Sequence, residues 1–362
     1  MIMIGCDFHP GQQQIAFLDT ETGRRGELRL THTGDSVRQF YASLPRPVRI
    51  GLESSGYSLW FEELLEELGH ELWVGDPAQV RKAAPRQQKT DARDARLLLQ
   101  LLEEKRFPRI WVPDRAPRDL RQLLLHRHKL VTMRTALKNQ LQAIALNRGV
   151  QQHRRLWSEA GRQQLQSLAL PRWTERRRDD LLRLLDQWDA EIAELDHVVI
   201  QEAEARPDAR YLIDHQAGVG PITALATVLI LGPVERFPSA KQVASYVGLI
   251  PAERSSGPRQ RLGHLTKEGS PFLRFLLVEA AHTAVRRDAA FKRAYWRLVE
   301  RRGKPIAQVA MARKLLTHLY WILRLRNNPL RSASASASGV PGERSLLAGV
   351  ESRGSPGLDT WR

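Results

Sequence analysis

Four carboxylates in the first hundred residues have the types and positions that phosphodiester chemistry requires. Asp7 ends the first predicted strand, Glu53 ends a later one, and Asp91 and Asp94 open a predicted helix. Carboxylates at strand ends converge on one edge of a sheet. A flanking helix can bring two more, because helix residues three apart share one face. Such a cluster repels itself unless a cation neutralises it, and Mg²⁺ binds a few carboxylates while keeping several waters. Two such ions about 4 Å apart could hold the attacking and leaving oxygens of a phosphodiester.

Each acid taken alone has a plainer explanation. Asp91 at a helix N-terminus is a favourable cap, and Glu53 before Ser54-Ser55-Gly56 is typical of a turn. The set of four, in an order that fits a known active-site topology, favours catalysis. Lone histidines without spaced partners are mostly surface or core residues, so none is expected to be essential; these are His9, His126 and His128.

A second group of reactive residue types lies within 251–270. Ser255-Ser256-Gly257 is followed by basic side chains in a Gly-rich stretch. A serine hydroxyl among cations can attack phosphorus while the cations stabilise the developing charge, although Ser-Ser-Gly alone is usually a loop. The basic residues concerned are Arg259, Arg261 and Lys267.

A glycine-rich turn, Gly218-Val219-Gly220-Pro221, precedes a predicted helix. Such a turn presents free N–H groups and the positive end of the helix dipole, which suits a phosphate. Helix-hairpin-helix modules hold DNA in this way. On the motif alone, an ordinary tight turn between helices is the favoured interpretation.

The charge of the chain is concentrated rather than spread. Its 362 residues carry 56 Lys and Arg against 40 Asp and Glu, a net charge of +16. The net charge is +7 over 101–150 and +13 over 251–331, whereas 1–100 and 151–250 are slightly acidic. Two basic blocks beside an acidic unit favour surfaces that bind a polyanion, nucleic acid first, around a carboxylate site.

Composition excludes several classes of protein. No run of about 18 apolar residues is present, so no transmembrane helix is expected. The N-terminus lacks the basic and apolar regions of a signal peptide. A single cysteine, Cys6, excludes a disulfide framework and a zinc site built of cysteines;. We therefore expect a cytoplasmic protein without a membrane partner.

The elements that must position the acids predict an α/β sheet domain. Three short strands form a meander, and strands then alternate with helices up to about residue 75. From Asp91 the pattern becomes helical, and over 181–199 the apolar residues follow an a/d seam. That seam predicts a short coiled coil, within or between chains, or an amphipathic helix packed on its own domain. The predicted segments are 1–110, α/β; 111–210, long helices and coiled coil; 211–331, mainly α-helical; and 332–362, a Ser/Ala-rich disordered tail.

Motifs in both halves resemble one family. A first-strand Asp, a fourth-strand Glu and two late helix acids resemble the RuvC-like branch of the RNase H fold. The surrounding strings resemble DEDD-type insertion-sequence transposases of the IS one-ten family, also called bridge recombinases. The resemblance covers about residues 1–325, and Cys6 departs from it where an aliphatic residue is common. The strings are Gly5-Cys6-Asp7-Phe8-His9, Leu52-Glu53-Ser54-Ser55-Gly56, Lys89-Thr90-Asp91-Ala92-Arg93-Asp94-Ala95, Gly218-Val219-Gly220-Pro221, Gly248-Leu249-Ile250-Pro251 and Ser256-Gly257.

The resemblance implies a RuvC-like, RNase H-like N-terminal domain and a C-terminal serine transposase domain. It places the nucleophile on Ser256, with Ser255 as its rival because the serine is doubled. It also implies donor and target DNA, a structured bridge RNA, and a homodimer or homotetramer in which the acids of one subunit meet the serine of another. The resemblance implies that Mg²⁺ is bound by Asp7, Glu53, Asp91 and Asp94. The expected nucleic-acid contacts are Lys89, Gly218, Gly220, Arg259, Arg261 and Lys267.

Two other functions stay open. One is a Holliday-junction endonuclease that uses the four acids and water, with a structural Ser256. The other is a non-catalytic nucleic-acid-binding protein whose acids are only caps. Cleavage that survives Ser256→Ala would favour the first, and an Asp7→Asn change without consequence would favour the second.

Overall fold

The structure, a computed structural model, describes residues 1–327 except 46, 85–89, 152–154 and 254–261, with only the backbone of Leu262. The chain divides into two compact units, Met1–Pro113 and a second that starts at Asp114. The first combines a sheet with helices, and the described part of the second is mostly helical. The predicted mixed α/β N-terminal part with a largely helical remainder is therefore confirmed. The predicted tail over 332–362 lies outside the described residues.

A five-stranded sheet organises the first unit. Its order is β3-β2-β1-β4-β5. The first three strands pair antiparallel as a meander, whereas β4 runs parallel to β1 and β5 parallel to β4. The central β1 thus joins the antiparallel and parallel halves. The strands are β1 (Ile2–Phe8), β2 (Gln12–Asp19), β3 (Arg25–Thr31), β4 (Val48–Glu53) and β5 (Glu71–Gly75).

Helices cover both faces of this sheet. Side chains alternate along a strand, so Ile4 and Cys6 enter a core shared with α1 and α2. On the other face, Ala95 and Leu99 of α4 pack against β2. Cys6 is fully buried, as expected of a small hydrophobe. The helices are α1 (Ser36–Ala42), α2 (Leu59–Glu67), α3 (Pro77–Ala83) and α4 (Asp91–Glu103).

Long and short helices make up most of the described second unit. They are α5 (Arg115–Leu146), α6 (Glu159–Gln166), α7 (Arg172–Glu204), α8 (Pro207–His215), α9 (Pro221–Leu231), α10 (Ala240–Val247), α11 (Pro271–Arg287), α12 (Ala289–Arg302) and α13 (Lys304–Arg326). Two short strands, β6 (Pro251–Glu253) and β7 (Leu262–Leu265), pair antiparallel. The sequence pattern did not predict this pair, because alternation over three or four residues is indistinguishable from a loop.

The helices α5 and α7 run antiparallel along each other. Arg127 pairs with Asp196 at 2.6 Å, and Arg134 pairs with Asp189 at 3.0 Å. The later residue of α5 thus pairs with the earlier residue of α7, as in an antiparallel pair. The predicted a/d seam of α7 packs on α5 within the chain. Its fully or nearly fully buried positions are Leu181, Leu185, Ile192 and Val199.

One hydrophobic cluster joins the helices predicted as a middle segment to those predicted as a C-terminal one. Leu124 of α5 and Val199 of α7 share it with Leu225 of α9 and Leu316 of α13. Arg313 and Lys314 both lie on α13. Among the helices that the structure describes, none is long and apolar enough to cross a membrane.

Candidate functional site

Asp7 and Glu53 lie at one edge of the sheet, at the carboxyl ends of neighbouring strands. Strands β1 and β4 are parallel, and Cys6 pairs with Leu52, one residue before each acid. Cys6 and Leu52 enter the core shared with α1 and α2. Because side chains alternate along a strand, the two acids belong to the opposite face, which α4 covers;.

The N-terminus of α4 carries the other two acids. The hydroxyl of Thr90 caps the helix and accepts a hydrogen bond from the Arg93 backbone N–H at 3.4 Å. Asp91 and Asp94 occupy its first turn. Negative charge in the first turn is stabilised by the helix dipole, so local structure favours both acids independently of any chemistry.

A glycine allows α4 to lie directly on β1. A Cβ built on Gly5 would overlap the backbone of Ala95 and Leu99. Gly5 and Asp7 are on the same face of β1, two residues apart, and Asp94 directly precedes Ala95. The close approach at Gly5 therefore brings the first turn of α4 next to the strand end that carries Asp7.

A histidine completes the group of side chains at this edge. The Nε2 atom of His9 lies 3.1 Å from Asp7 Oδ2 and 3.5 Å from Asp91 Oδ1. One ligand atom from each of Asp7, His9 and Asp91 lies within 4.8 Å of the others. Sequence reasoning rejected His9 as a lone histidine. Its position two residues after Asp7, just beyond the end of β1, is the signal that could have found it.

A glutamine holds Asp91 toward the strand end. The side-chain amide of Gln12 donates a hydrogen bond to Asp91 Oδ2 at 3.4 Å, and its carbonyl oxygen accepts one from Arg29 Nε at 2.8 Å. The Gln12 backbone carbonyl also accepts a hydrogen bond from the His9 N–H at 2.9 Å. The tight turn between β1 and β2 thus links His9 to Asp91, and Gln12 is not among the predicted site residues.

At this edge of the sheet, burial and neighbouring acids disfavour the ionised form of Asp7. Burial raises the pKa of Asp7, the positive charge available on His9 opposes that rise, and the charges of Asp94 and Asp91 add to it. The Asp7 side chain is 16% exposed, against 49% for Asp91. The ionised form of Asp7 is therefore disfavoured at this edge, and a bound cation would stabilise it;.

This donor set fits a divalent cation. Carboxylate oxygens suit Mg²⁺ and Mn²⁺, whereas an imidazole nitrogen is a better ligand for metals such as Zn²⁺. Asp7, His9 and Asp91 are close enough to share one ion. Glu53 adjoins them through the sheet register, and Asp94 is close enough to act on the Asp7 charge.

Several predicted site residues lie outside the described residues. They are Lys89, Ser256, the rival Ser255, Arg259 and Arg261. In the chain, the two serines fall between β6 and β7, whose paired ends include Glu253 and Leu262. Lys267 follows β7 and is exposed, with a left-handed φ of 55°.

The backbone beside Lys267 is tightly packed. The Arg274 guanidinium donates hydrogen bonds to the carbonyls of Val247 at 2.9 Å and Glu268 at 2.8 Å. A Cβ on Gly248 would overlap the backbone of Glu268, and both Gly248 and Gly269 have positive φ. The segment that leads out of β7 is thus held against the end of α10.

The glycines of the turn before α9 have different surroundings. Gly218 has a φ of 91°, and a Cβ there would overlap the backbone of Ala280 and Ala284 in α11. Gly220 caps α9 and has no atom within 4 Å of a built Cβ. Packing against α11 explains Gly218, while Gly220 leaves the start of α9 open to close approach.

Two transposase family models match the chain. A DEDD-type IS110 model described as "Transposase" matches residues 4–148. A model described as "Transposase IS116/IS110/IS902 family" matches residues 211–296. The first range contains all four candidate acids, and the second contains both candidate serines.

Similar curated proteins cover most of the chain. A "Probable family 20 transposase" of Pseudomonas aeruginosa is 29% identical over 307 residues, 82% of this chain and 89% of that protein. A "Transposase for insertion sequence element IS1111A" of Coxiella burnetii is 25% identical over 340 residues, 91% of each. A "Pilin gene-inverting protein" of Moraxella lacunata is 29% identical over 249 residues, 67% of each.

Proposed function

Because the chain belongs to the IS110/IS116/IS902 family of transposases, we propose that it cleaves and rejoins DNA with an acidic metal site and a serine nucleophile. The observation that carries this proposal is the gathering of Asp7, His9 and Asp91 at the end of β1. That edge lies within the range matched by the DEDD transposase model. The likeness to a protein named for inverting a pilin gene also favours recombination rather than simple DNA degradation.

The first unit is proposed to be a RuvC-like member of the RNase H fold. Support comes from the placement of the acids in that order along the topology: Asp7 on β1, Glu53 on β4, and Asp91 and Asp94 on α4. The strand order, with β4 parallel to the central β1, puts the two strand acids side by side.

Mg²⁺ is the proposed cofactor, with Asp7, Glu53, Asp91 and Asp94 as its ligands. A bound divalent cation would neutralise the non-bridging oxygens of the phosphodiester and polarise the ester. The chain's own part is to hold the carboxylates in one place: Gly5 sets the distance of α4, and Gln12 orients Asp91. His9 is proposed as a further ligand because its Nε2 already lies within reach of both Asp7 and Asp91.

Ser256 is the proposed nucleophile, with Ser255 as the rival. In the cleavage step its hydroxyl loses a proton, its oxygen forms a bond to phosphorus, and one phosphorus–ester oxygen bond breaks. The products are a phosphoserine-linked strand and a strand with a free hydroxyl. Attack by the hydroxyl of another strand on the phosphoserine then reverses the chemistry, so the bond energy is conserved and no nucleotide cofactor is needed.

Donor and target DNA are the proposed substrates, and a structured bridge RNA the proposed guide. The net charge of +13 over residues 251–331 supports phosphate contacts near the serine;. Lys89, Arg259, Arg261 and Lys267 are proposed to make such contacts, with Gly218 and Gly220 shaping the turn before α9. A homodimer or homotetramer is proposed, so that the acids of one subunit act with the serine of another.

Covalent trapping tests the chemistry. The full chain, with its co-purified nucleic acid, is incubated in Mg²⁺ with a plasmid that carries the element's joined ends. We expect a protein–DNA adduct that survives SDS and yields a phosphorylated Ser256 peptide by mass spectrometry. Ser256→Ala should abolish the adduct and Ser255→Ala should retain it.

Other results of the same assay point elsewhere. An adduct retained by Ser256→Ala and lost with Ser255→Ala would assign the rival serine. Cleavage without any adduct would indicate a junction nuclease that uses water. Sequencing of the co-purified nucleic acid tests the guide separately, since a uniform structured RNA is expected and random fragments would contradict it.

A further inference from the structure

Helix α12 has two distinct faces. Phe291 is buried, and Ala294, Tyr295 and Leu298 are partly buried against the core of α11 and α13. The opposite face follows the helical period and is exposed. Its members are Lys292, Arg293, Trp296, Arg297, Glu300 and Arg301.

The outer face is strongly basic. Residues 286–304 carry eight Lys and Arg against two acidic side chains, Asp288 and Glu300. Asp288 is committed to capping α12, because its carboxylate accepts hydrogen bonds from the N–H groups of Ala290 and Phe291. Within the described parts of the chain, Arg293, Arg297 and Arg301 have no carboxylate within ion-pair distance. Their charges are therefore available to an external anion.

Arginines on α7 show the contrast. Arg176 and Arg183 are exposed, as those on α12 are, at 69% and 73%. Both pair with Asp180, at 2.9 Å and 2.8 Å. Exposed arginines of this protein can therefore be neutralised within the chain, and among the residues that the structure describes the three arginines of α12 are not.

A tryptophan lies in the middle of this basic row. Trp296 is 49% exposed. Tyr295 packs edge-on against its ring, with centroids 5.5 Å apart, and so restricts the orientation of the indole. A large exposed aromatic held between arginines offers a stacking surface rather than a core contact.

We propose that the outer face of α12 binds an unpaired DNA strand, with phosphates on Arg293, Arg297 and Arg301 and a base stacked on Trp296. The three arginines are four residues apart, about 6 Å along the helix. A row of cations with an interleaved aromatic is the usual composition of a single-strand surface. This inference rests on the proposed function, because strand exchange must leave DNA strands transiently unpaired.

The stacking partner decides between a single strand and a duplex. In a duplex both faces of each base are already stacked, so an indole gains nothing unless a step is opened. A basic row alone would serve a duplex equally well. Trp296 therefore makes the surface selective for unpaired bases, and the arginines set its salt dependence.

Salt-dependent binding separates these contributions. Fluorescence anisotropy of the full chain is measured on a labelled thymidine strand of about 15 nucleotides, on its duplex and on the matching uridine strand. The triple variant Arg293→Gln/Arg297→Gln/Arg301→Gln should flatten the plot of log K against log salt for the single strand by about 2. Trp296→Ala should weaken single-strand binding about 5- to 150-fold without changing that slope.

Matched variants on α7 serve as controls. Arg176→Gln/Arg183→Gln removes two exposed but ion-paired arginines, and Trp173→Ala removes an indole that is 74% exposed. Both should leave single-strand affinity and slope unchanged. Thermal unfolding of each variant checks that the fold is retained, which exposed substitutions should not affect.

Several outcomes would overturn the inference. They are unchanged single-strand binding in the α12 variants, an equal loss from Trp296→Ala on duplex and single strand, or a loss confined to the uridine strand. Equal losses on thymidine and uridine strands support a backbone-and-stacking surface. The assay requires no cleavage, so an Asp7→Asn chain that still cleaves DNA would overturn the catalytic proposal and leave this one standing.

Discussion

The acid edge of the first unit and the outer face of α12 differ in how they are built. At the edge, Asp7, His9 and Asp91 come from a strand, a turn and a helix that only tertiary packing brings together. On α12, the basic residues lie on one helix, and its period alone aligns them;. The edge is also partly buried and self-repelling, whereas the α12 face is solvated.

This difference teaches where single substitutions should matter. Groups in one coupled cluster interact, and their effects on free energy do not add. Separate exposed cations contribute small, nearly independent amounts. We therefore expect abrupt loss of function from changes at the acid edge and graded loss from changes on α12.

The largest expected effect is loss of DNA cleavage in Asp7→Asn. Removing a central carboxylate should lower the cleavage rate at least about 100-fold, because even outer groups of a metal site are worth about 10–100-fold. Asp7→Asn/Asp91→Asn should be scarcely worse than the single variant. Glu103→Gln, at the far end of α4 and paired with Arg25 at 2.6 Å, is the control and should cleave normally. If the losses in cleavage rate from Asp7→Asn and Asp91→Asn multiplied in the double variant, the acids would act independently and would not differ from the arginines of α12 in this respect.

Gly5→Ala should damage the acid edge without touching any acid. The new methyl group would overlap the backbone of Ala95 and Leu99, so α4 must move away from β1. We expect a loss of about 1–3 kcal/mol in the free energy of unfolding, with weaker metal binding as Asp91 and Asp94 shift.

Urea unfolding and Mn²⁺ titration measure both effects of Gly5→Ala. Gly56→Ala is the matched control, since nothing lies within 4 Å of a Cβ built there. If Gly5→Ala bound metal as the wild type does, the distance between α4 and β1 would not set the site.

His9→Gln should weaken Mn²⁺ binding by about 10-fold while leaving a measurable site. Pulsed EPR of the Mn²⁺-loaded full chain should show coupling to a ligand nitrogen, which His9→Gln removes. His126→Gln changes an exposed histidine of α5 and should keep the coupling. Mn²⁺ bound without any nitrogen coupling in the wild type would leave the acids as ligands and exclude His9.

Without metal, Asp7→Asn should be more stable than the wild type at pH 7. Burial and the neighbouring acids raise the pKa of Asp7, so its ionised form is disfavoured in the folded state, and a neutral isostere removes that cost. Thermal unfolding in a chelator measures the difference. Adding Mn²⁺ should then stabilise the wild type but not the variant, and equal stabilisation of both would contradict a site centred on Asp7.

The smallest expected effects come from single arginine changes on α12. Arg293→Gln, Arg297→Gln and Arg301→Gln should each lower the salt slope for a single strand by about 0.7. Their effects on the binding free energy should add within about 0.5 kcal/mol. Anisotropy titrations at several salt concentrations measure both quantities. If one arginine accounted for most of the binding free energy, the α12 face would not differ from the acid edge as expected.

The elements of the first unit were largely predictable. The predicted three-strand meander is observed, and so is the alternation of strands and helices up to about residue 75, because alternation, caps and turn residues are local signals;. The a/d spacing of α7 likewise predicted its buried seam. The short β6–β7 pair was missed for the opposite reason, since three or four residues carry too little periodicity.

The composition of the candidate site was only partly predictable. Residue type and position singled out Asp7, Glu53, Asp91 and Asp94, but His9 and Gln12 enter through a turn whose geometry no spacing rule expresses. Residue type also does not predict the exposure of Trp296 and Trp173, which are 49% and 74% exposed. Hydrophobic residue types favour a core without requiring one.

The order of residues along the chain was enough to specify the strands, the helix that Thr90 caps, the four acids and the two basic blocks, because each depends on neighbours a few positions away. Long-range packing settled the rest. The contact of α4 with β1 at Gly5 brings Asp91 to Asp7 and His9, and the burial of one side of α12 leaves its arginines outward and unpaired in the described part of the chain. Distances between residues far apart in sequence follow from how whole elements pack, and no local pattern encodes them.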